Sequence, residues 1–326
     1  MHSEITVRTE RAISEKVFPG CVIGLIRPNK TKEILAFGNF TYEPNSAAVR
    51  EDTIYDLASI TKSIPTASLA LALIAEGKLR ATDRIVEYLP ELKNDHQATI
   101  EDLLTYRVRG PKLSTLKDKT AEGILEHIFE RGFDAPSGES NYTNLPALLL
   151  GLAIERAADQ PLESLARKYF FGPLQMQRTT FFPFRDLPDK KDEIAPTEID
   201  EWRGEVCGFP HDESAYIFAK SDRACGHAGL FSTAPDLLNF LERVLQGELP
   251  AIAEGAQKGW GWELMNRPHT FGKTGFTGTS VVVDVERGVA FAILSNRTYP
   301  KRPPDAALAN SAINRFRANI ADILLR

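Results

Sequence analysis

The chain is organised around the stretch DLASITK, residues 56–62, which an apolar run follows as far as Gly77. If this stretch forms one helical turn, Ser59 and Lys62 lie on the same face, because side chains three residues apart do so on a helix. A serine hydroxyl attacks only after its proton is removed, and a desolvated lysine can be neutral enough to remove it. The spacing therefore predicts a nucleophile beside its base.

A proline just downstream leaves the local backbone open to two alternatives. Pro65 follows Lys62 by three residues. A helix tolerates proline without bending only in its first turn. Either the helix begins by Ser59 and bends near Thr61, or it begins near Ile64 and the pair stands on a preceding turn. The apolar residues 67–74 predict a buried helix in both cases, so the pair lies at the edge of the core.

The chain contains a second Ser-x-x-Lys, because Ser114 and Lys117 have the same spacing. Residue frequencies alone predict roughly one such match in a chain of this length. The second copy lies in a polar stretch, residues 111–119, where nothing would desolvate the lysine. We therefore interpret it as a chance match.

Composition excludes several classes of protein. The 326 residues are 43% hydrophobic with a formal net charge of -5, so there is no basic field to hold a nucleic-acid backbone. We expect no membrane span, because no apolar run reaches 18 residues, and residues 1–15 mix charges where a signal peptide needs an apolar centre. Three cysteines without a CxxC spacing suit free thiols in a reducing compartment. As given, the sequence predicts a cytoplasmic protein.

The order of the predicted elements indicates an α/β part and an all-α part. A short helix and two strands are predicted before residue 40, and further strands follow residue 259, with a helix predicted over 305–325. The segment between them has helical spacing over 66–76, 121–130, 144–158 and 236–245. We predict an antiparallel sheet domain from 1–56 and 255–326, flanked by terminal helices, with a mainly helical domain over 57–254 inserted in it.

A second candidate group stands where a loop meets an apolar helix. Tyr142 and Asn144 form the only Tyr-x-Asn in the chain. A phenol near two cations can become a phenolate that moves protons. The alternative is that Tyr142 is a packing residue and Asn144 a helix cap.

A third candidate group is GKTGFTGTS, residues 272–280, which runs along a predicted strand edge. It is no phosphate-binding P-loop, because position 267 is arginine where that motif needs glycine. A Gly-x-Ser-x-Gly nucleophile elbow is absent from the sequence. What remains is a glycine-lined edge with one cation, Lys273, or an ordinary edge strand with turn glycines.

Together the three motifs, in this order and layout, resemble the serine β-lactamase and penicillin-binding-protein superfamily, most of all class C β-lactamases, DD-peptidases and related esterases. The segment GHAGLFST at 226–233 and LSNR at 294–297 add to the resemblance. It covers nearly the whole chain and implies a β-lactamase/transpeptidase-like fold with the active site in the cleft between the two domains.

The resemblance also implies roles for individual residues. Ser59 would be the acylated nucleophile, and Lys62 and Tyr142 would share the proton transfers. Asn144 would hold Lys62 and a substrate amide. The substrate-binding residues implied are Asn144, Lys273, Thr274, Gly275, Phe276 and His227.

Within that set, Lys273 would keep Tyr142 acidic and attract a substrate carboxylate, which Thr274 would also contact. The backbone N–H groups of Ser59 and Phe276 would form the oxyanion hole.

Two segments depart from the family pattern. Relatives read LLTHTSG where this chain has LLTYRVRG at 103–110, and the segment after Asn296 lacks the positions that read a substrate carboxylate. Cys207, His211, Cys225 and His227 form a spaced series, but two ligands one residue apart are tighter than a zinc site prefers. We expect neither a metal nor another cofactor.

The sequence thus predicts a serine hydrolase acting through an acyl-enzyme on a small ester, amide or peptide. The alternative is a catalytically silent member that binds such ligands, or a partner protein, without turnover.

Overall fold

A six-stranded antiparallel sheet forms one layer of the structure, a computed structural model that describes residues 1–302 and 306–326. Its strand order is β2-β1-β10-β9-β8-β7, so the centre pairs the first strand of the chain with the last. The strands are β1 Gly20–Ile26, β2 Lys32–Gly38, β3 Tyr55–Asp56, β4 Glu198–Asp200, β5 Gly204–Val206, β6 Phe231–Ser232, β7 Glu263–Leu264, β8 Thr270–Thr274, β9 Ser280–Asp284 and β10 Val289–Ser295.

Helices cover the sheet and build the second part of the molecule. They are α1 His2–Ser14, α2 Ser68–Ala75, α3 Ile100–Leu104, α4 Ala121–Arg131, α5 Leu145–Ala158, α6 Leu162–Ala166, α7 Pro183–Asp186, α8 Glu213–Lys220, α9 Ala234–Leu245, α10 Pro250–Gln257 and α11 Ala306–Leu324. The predicted fold class, an antiparallel sheet flanked by terminal helices with an inserted helical part, is confirmed. The predicted start of the last helix at 305 lies outside the described residues.

Both faces of the sheet are buried, which explains why β1 is apolar at nearly every position. Ile23 belongs to the cluster that packs under α1 and α11, whereas Val22 belongs to the larger core beneath α9 and the helical part. Successive strand residues point to opposite faces, so a continuous apolar run serves both layers. Gly24 leaves room for Leu238, which would stand 3.1 Å from a Cβ at that position.

Pro65 lies in an apolar run that is divided into separate segments. Ala58–Lys62 is a 3₁₀ turn, and Ile64 has non-helical backbone angles of φ -117° and ψ 109° before α2 begins at Ser68. Of the two alternatives, the structure therefore has the one in which the pair stands on a preceding turn. Residues three apart are eclipsed in a 3₁₀ turn, which aligns Ser59 with Lys62.

The segment Ala58–Ala75 is long and apolar enough to cross a membrane by length and composition, contrary to the expectation that no stretch of 18 residues qualifies. Its mean hydropathy is 1.4 although it includes several polar residues. In the structure 78% of that segment is buried inside the fold, as is typical of a core segment. It is the one such segment within residues 1–302 and 306–326.

The Pro- and acid-rich segment 183–225 is not an irregular loop. It contains α7, a hairpin of β4 and β5, and α8. Aromatic contacts hold it in place, as between Phe184 and Phe209, whose ring centroids lie 5.7 Å apart. Short strands and dispersed aromatic residues have little periodicity, so the sequence pattern predicts no helix or strand here.

The buried carboxylate of Asp56 fixes the entry to the 3₁₀ turn. It accepts hydrogen bonds from the N–H groups of Ala58, at 2.8 Å, and His211, at 2.6 Å. Ala58 takes a φ of 48°, which a non-glycine residue adopts at a cost. The carboxylate thus holds a strained residue immediately before Ser59 and joins it to the 183–225 segment.

We expect Asp56→Ala to lower the free energy of unfolding by about 2 to 4 kcal/mol, because it leaves two buried N–H groups without an acceptor. Urea unfolding followed by circular dichroism measures the change. Asp118→Ala, at an exposed position, is the control and should shift stability by no more than about 0.5 kcal/mol. Equal effects of the two substitutions would contradict this role for Asp56.

Candidate active site

The predicted nucleophile and base are in direct contact. Lys62 Nζ lies 2.8 Å from Ser59 Oγ and donates a second hydrogen bond, at 2.7 Å, to the backbone carbonyl of His227. Lys62 is only 1% exposed. Burial, followed by the nearby charge of Lys273, lowers its pKa to about 7. A large share of Lys62 is therefore neutral near pH 7 and able to accept a proton.

The second Ser-x-x-Lys has none of these features. Ser114 lies on a short 3₁₀ turn, Leu113–Thr115, and both Ser114 and Lys117 are exposed. This supports its interpretation as a chance match.

Tyr142 lies next to Ser59 and Lys62. The Nζ atoms of Lys273 and Lys62 lie 4.4 and 5.4 Å from the centre of its ring, and the ring of Tyr106 lies 5.0 Å away. Although 49% of Tyr142 is exposed, burial of its phenol raises the pKa, and a hydrogen bond with Ser59 opposes that rise. Burial of the phenol therefore opposes the phenolate that was expected here. Of the two groups, Lys62 has the lowered pKa and Tyr142 the raised one.

Asn144 is in the site but holds a different group from the one implied by the resemblance. Its Nδ2 donates to Asp212 Oδ2 at 2.8 Å, while Lys62 is held by the carbonyl of His227. Burial alone would raise the pKa of Asp212, but the charge and hydrogen bond of His227, with other donors, hold it well below its usual range.

His227 was predicted to bind substrate, and the structure places its side chain behind the cavity. The ring is fully buried, and its Nε2 lies 2.9 Å from Ser214 Oγ and 3.2 Å from Asp212 Oδ1. Burial opposes a charge on the ring, but Cys225 and Asp212 outweigh it and raise its pKa to about 9. What reaches the site from this residue is its backbone carbonyl.

The strand β8 and the turn that follows it form the opposite wall. Gly275 is required by a close approach of the chain itself, because a Cβ there would stand 2.5 Å from the carbonyl oxygen of Leu57. The hydroxyls of Thr277 and Thr279 donate to the carbonyls of Asp56 and Leu57. These bonds fix the β8 turn against the turn that carries Ser59.

The two N–H groups that the resemblance implies as the oxyanion hole belong to Ser59 and Phe276. In the described part of the chain, neither Ser59 nor Phe276 donates its N–H to a protein acceptor. The peptide group that carries the Phe276 N–H is oriented from its other end, because Arg317 Nη2 donates to the carbonyl of Gly275 at 2.7 Å. Arg317 also donates to Thr279 O at 2.7 Å.

A cavity of about 250 Å³ opens beside Ser59. Tyr142, Asn144 and Phe276 line it together with residues from the 183–225 segment and from the chain after β10. The full lining is Ala58, Ser59, Tyr142, Asn144, His211, Asp212, Glu213, Ala228, Phe276 and Arg302. The cavity is large enough for a small acyl group and leaving group.

The predicted cation and its neighbour on β8 lie outside that lining. Lys273 is 1% exposed, and its Nζ forms an ion pair of 3.1 Å with Glu263 Oε1. Thr274 Oγ1 lies 3.4 Å from the other oxygen of the same carboxylate. Burial lowers the pKa of Lys273, and Glu263 opposes that effect.

Several residues of the site were not singled out from the sequence. They are Asp212, Glu213, Glu263, Arg302, Arg317 and Tyr106. Tyr106 and Arg302 lie in the two segments that depart from the family pattern, so that departure was a usable signal. The others are charged residues that belong to no recognisable sequence motif, and only the fold brings them to the site.

The Cys and His series does not converge on one point. Cys207 Sγ contacts the carbonyl of Ile194, and Cys225 Sγ contacts that of Ala228. Across residues 1–302 and 306–326, no group of three or more His, Cys, Asp or Glu side chains is arranged to hold a metal ion.

Comparisons with known proteins agree with the geometry. A family model described as Beta-lactamase matches residues 7–314. An N-acetylmuramyl-L-alanine amidase of Bacillus subtilis (strain 168) is 26% identical over 86% of this chain and 78% of its own length.

Two solved structures share the fold. A D-amino acid amidase from Ochrobactrum anthropi SV3, complexed with L-phenylalanine amide, superposes with a TM-score of 0.75 at 20% identity, covering 98% of each chain. A β-lactamase/D-alanine carboxypeptidase from Pseudomonas syringae gives a TM-score of 0.74 at 18% identity, covering 96% of this chain and 98% of its own.

The family match spans nearly the whole chain, and the predicted β-lactamase/transpeptidase-like architecture is confirmed by the solved structures. The prediction of a serine hydrolase is confirmed at the level of the family, and the catalytically silent alternative gains no support. The chain belongs to the β-lactamase family.

Proposed function

We propose that the chain hydrolyses small esters or amides through an acyl-enzyme on Ser59, with Lys62 as the base. The observation that carries the proposal is the 2.8 Å contact between Lys62 Nζ and Ser59 Oγ, made by a lysine that is almost fully buried. A buried amine with a lowered pKa is the group that can activate a serine hydroxyl near neutral pH.

The reaction has two stages. In the first, Ser59 Oγ forms a bond to the substrate carbonyl carbon as its proton passes to Lys62. The tetrahedral oxyanion is held by the N–H groups of Ser59 and Phe276. The bond to the leaving group then breaks, and the proton reaches the leaving atom through Lys62 and the Tyr142 hydroxyl.

In the second stage, water takes the place of the leaving group. The water oxygen bonds to the acyl carbon while its proton passes to the same base. The bond from Ser59 Oγ to the acyl carbon breaks, Ser59 recovers its proton, and the carboxylic acid leaves. Tyr142, as a protonated phenol, donates and accepts protons within this sequence without becoming the primary base.

The cavity and the relatives support a small substrate. A volume of about 250 Å³ accommodates a short acyl chain with a leaving group beside Phe276. The relatives whose names indicate amide chemistry, an amidase and a D-amino acid amidase, support amides as substrates.

Ser59→Ala should abolish labelling by a fluorescent fluorophosphonate and lower p-nitrophenyl butyrate hydrolysis by about 10³-fold or more, because the nucleophile is lost. Gel fluorescence and p-nitrophenol release measure the two effects. Ser114→Ala, at the exposed chance match, is the control and should behave as wild type. Equal labelling of wild type and Ser59→Ala would refute the assignment.

The rate of Ser59 labelling should rise with pH and level off above about 7. Lys62 is a base only when neutral, and its pKa is lowered to about 7, so protonation below that pH removes activity by about tenfold per pH unit. Labelling rates between pH 5.5 and 9 test this. Lys62→Met should slow labelling by about 10²- to 10⁴-fold at pH 8. A profile that instead rises through pH 10 would contradict the assignment of Lys62 as the base.

Arg317→Met should lower kcat for p-nitrophenyl butyrate by about tenfold with little change in KM. The substitution frees the carbonyl of Gly275, so the Phe276 N–H is less polarised and less well oriented toward the oxyanion. Arg315→Met, at an exposed position of α11, is the control. An unchanged kcat in folded Arg317→Met would show that the contact has no role in the reaction.

A further inference from the structure

A glutamate of the chain itself forms an ion pair with Lys273, the cation on β8. Glu263, on the edge strand β7, places one carboxylate oxygen 3.1 Å from Lys273 Nζ and the other 3.4 Å from Thr274 Oγ1. These are the two groups that the family resemblance assigns to a substrate carboxylate. A carboxylate supplied by the chain itself therefore makes the contacts expected of the substrate.

Two aromatic rings and Glu263 surround the ammonium group of Lys273. The ring of Tyr142 lies 4.4 Å and that of Tyr106 lies 5.0 Å from its Nζ, so aromatic faces cover the cation. Lys273 is 1% exposed, whereas Glu263 is 39% exposed in its side chain. Solvent and substrate thus meet the carboxylate before they meet the ammonium.

Arg302, which lines the cavity, is also paired with carboxylates. Arg302 Nη2 lies 3.0 Å from Glu198 Oε2 and 2.8 Å from Glu213 Oε1. Glu213 and Asp212 themselves line the cavity. Among the described lining residues, a substrate carboxylate would therefore meet acidic groups and no cation without a carboxylate partner.

We propose that Glu263 is a specificity-determining residue that closes the Lys273 site to substrate carboxylates, so that the enzyme acts on esters and amides whose leaving group carries no negative charge. This inference rests on the proposed function and names its substrate class. It departs from the preference for carboxylate-bearing substrates that the Lys-Thr-Gly motif alone suggests.

The physical reason is a competition for one buried charge. A substrate carboxylate can reach Lys273 only by displacing Glu263 or by lying beside it as a like charge, and either event weakens binding. An uncharged amide or ester in the same place has no such conflict and can accept a hydrogen bond. Discrimination of this kind arises from a repulsive group as much as from an attractive one.

The test uses two substrates that differ only in charge, hippuryl-D-lactate and hippuryl-D-lactamide, with hippurate release measured by chromatography. We expect the wild type to hydrolyse the lactamide with a kcat/KM about tenfold or more above that of the lactate. Glu263→Gln should raise the lactate value relative to the lactamide by about tenfold, because it removes the competing charge. Glu263→Asp, which keeps the charge, should retain the wild-type preference.

Glu254→Gln, on the exposed face of α10, is the matched control and should leave both values unchanged. Thermal unfolding of each variant confirms that it is folded. A wild type that prefers the lactate, or a lactate-to-lactamide ratio that does not change in Glu263→Gln, would overturn the inference.

The fluorophosphonate separates this failure from failure of the proposed function. An enzyme that labels at Ser59 and hydrolyses neither hippuryl ester would overturn the substrate class but leave Ser59 as the nucleophile. An enzyme that neither labels nor hydrolyses would refute the proposed function, and the role of Glu263 with it.

Discussion

The exclusion of water from the amine of Lys62 is the constraint on which the site depends. Three separate parts of the chain enforce it: the 3₁₀ turn before α2, the helix α5, and the loop at Gly226. Gly226 packs so closely on α5 that a Cβ would stand 2.2 Å from the carbonyl of Ala147, and its own carbonyl accepts a hydrogen bond from Thr66. This tight contact brings the neighbouring carbonyl of His227 onto Lys62. A lysine held in this way loses the hydration that would keep it charged.

The parts of the site that could be predicted from the sequence are those fixed by local spacing. Ser59 and Lys62 are three residues apart, so any helical turn brings them together, and the apolar run after them predicts burial. Tyr142 stands next to a helix whose periodicity is clear. Because these signals are local, they remain valid although Pro65 leaves two backbone alternatives open. The fold class could also be predicted, since strand patterns occur near both ends of the chain and the segment between them has helical spacing.

The remaining parts depend on pairings between distant segments. Glu263 reaches Lys273 because β7 pairs with β8, and Arg317 reaches Gly275 because α11 covers the sheet. Nothing in the sequence near either residue distinguishes it from an ordinary surface charge. The contact of His227 with Lys62 also could not be predicted from the sequence, because it is made by a backbone carbonyl that any residue would supply. The pKa of Tyr142 was expected to fall, but that argument counted nearby charges and left out the burial of the phenol, which raises the pKa.

The pairing of β1 with β10 has a consequence for the order in which this protein can fold during synthesis. The ribosome releases β1 and the whole helical part before β10 and α11 exist, so the edge of β1 that pairs with β10 stays unpaired for most of translation. The wall of the active site formed by β8, Phe276 and Arg317 is also made late. A nascent chain therefore carries Ser59 long before it can stabilise an oxyanion, and reactivity begins only when the central strand pair closes.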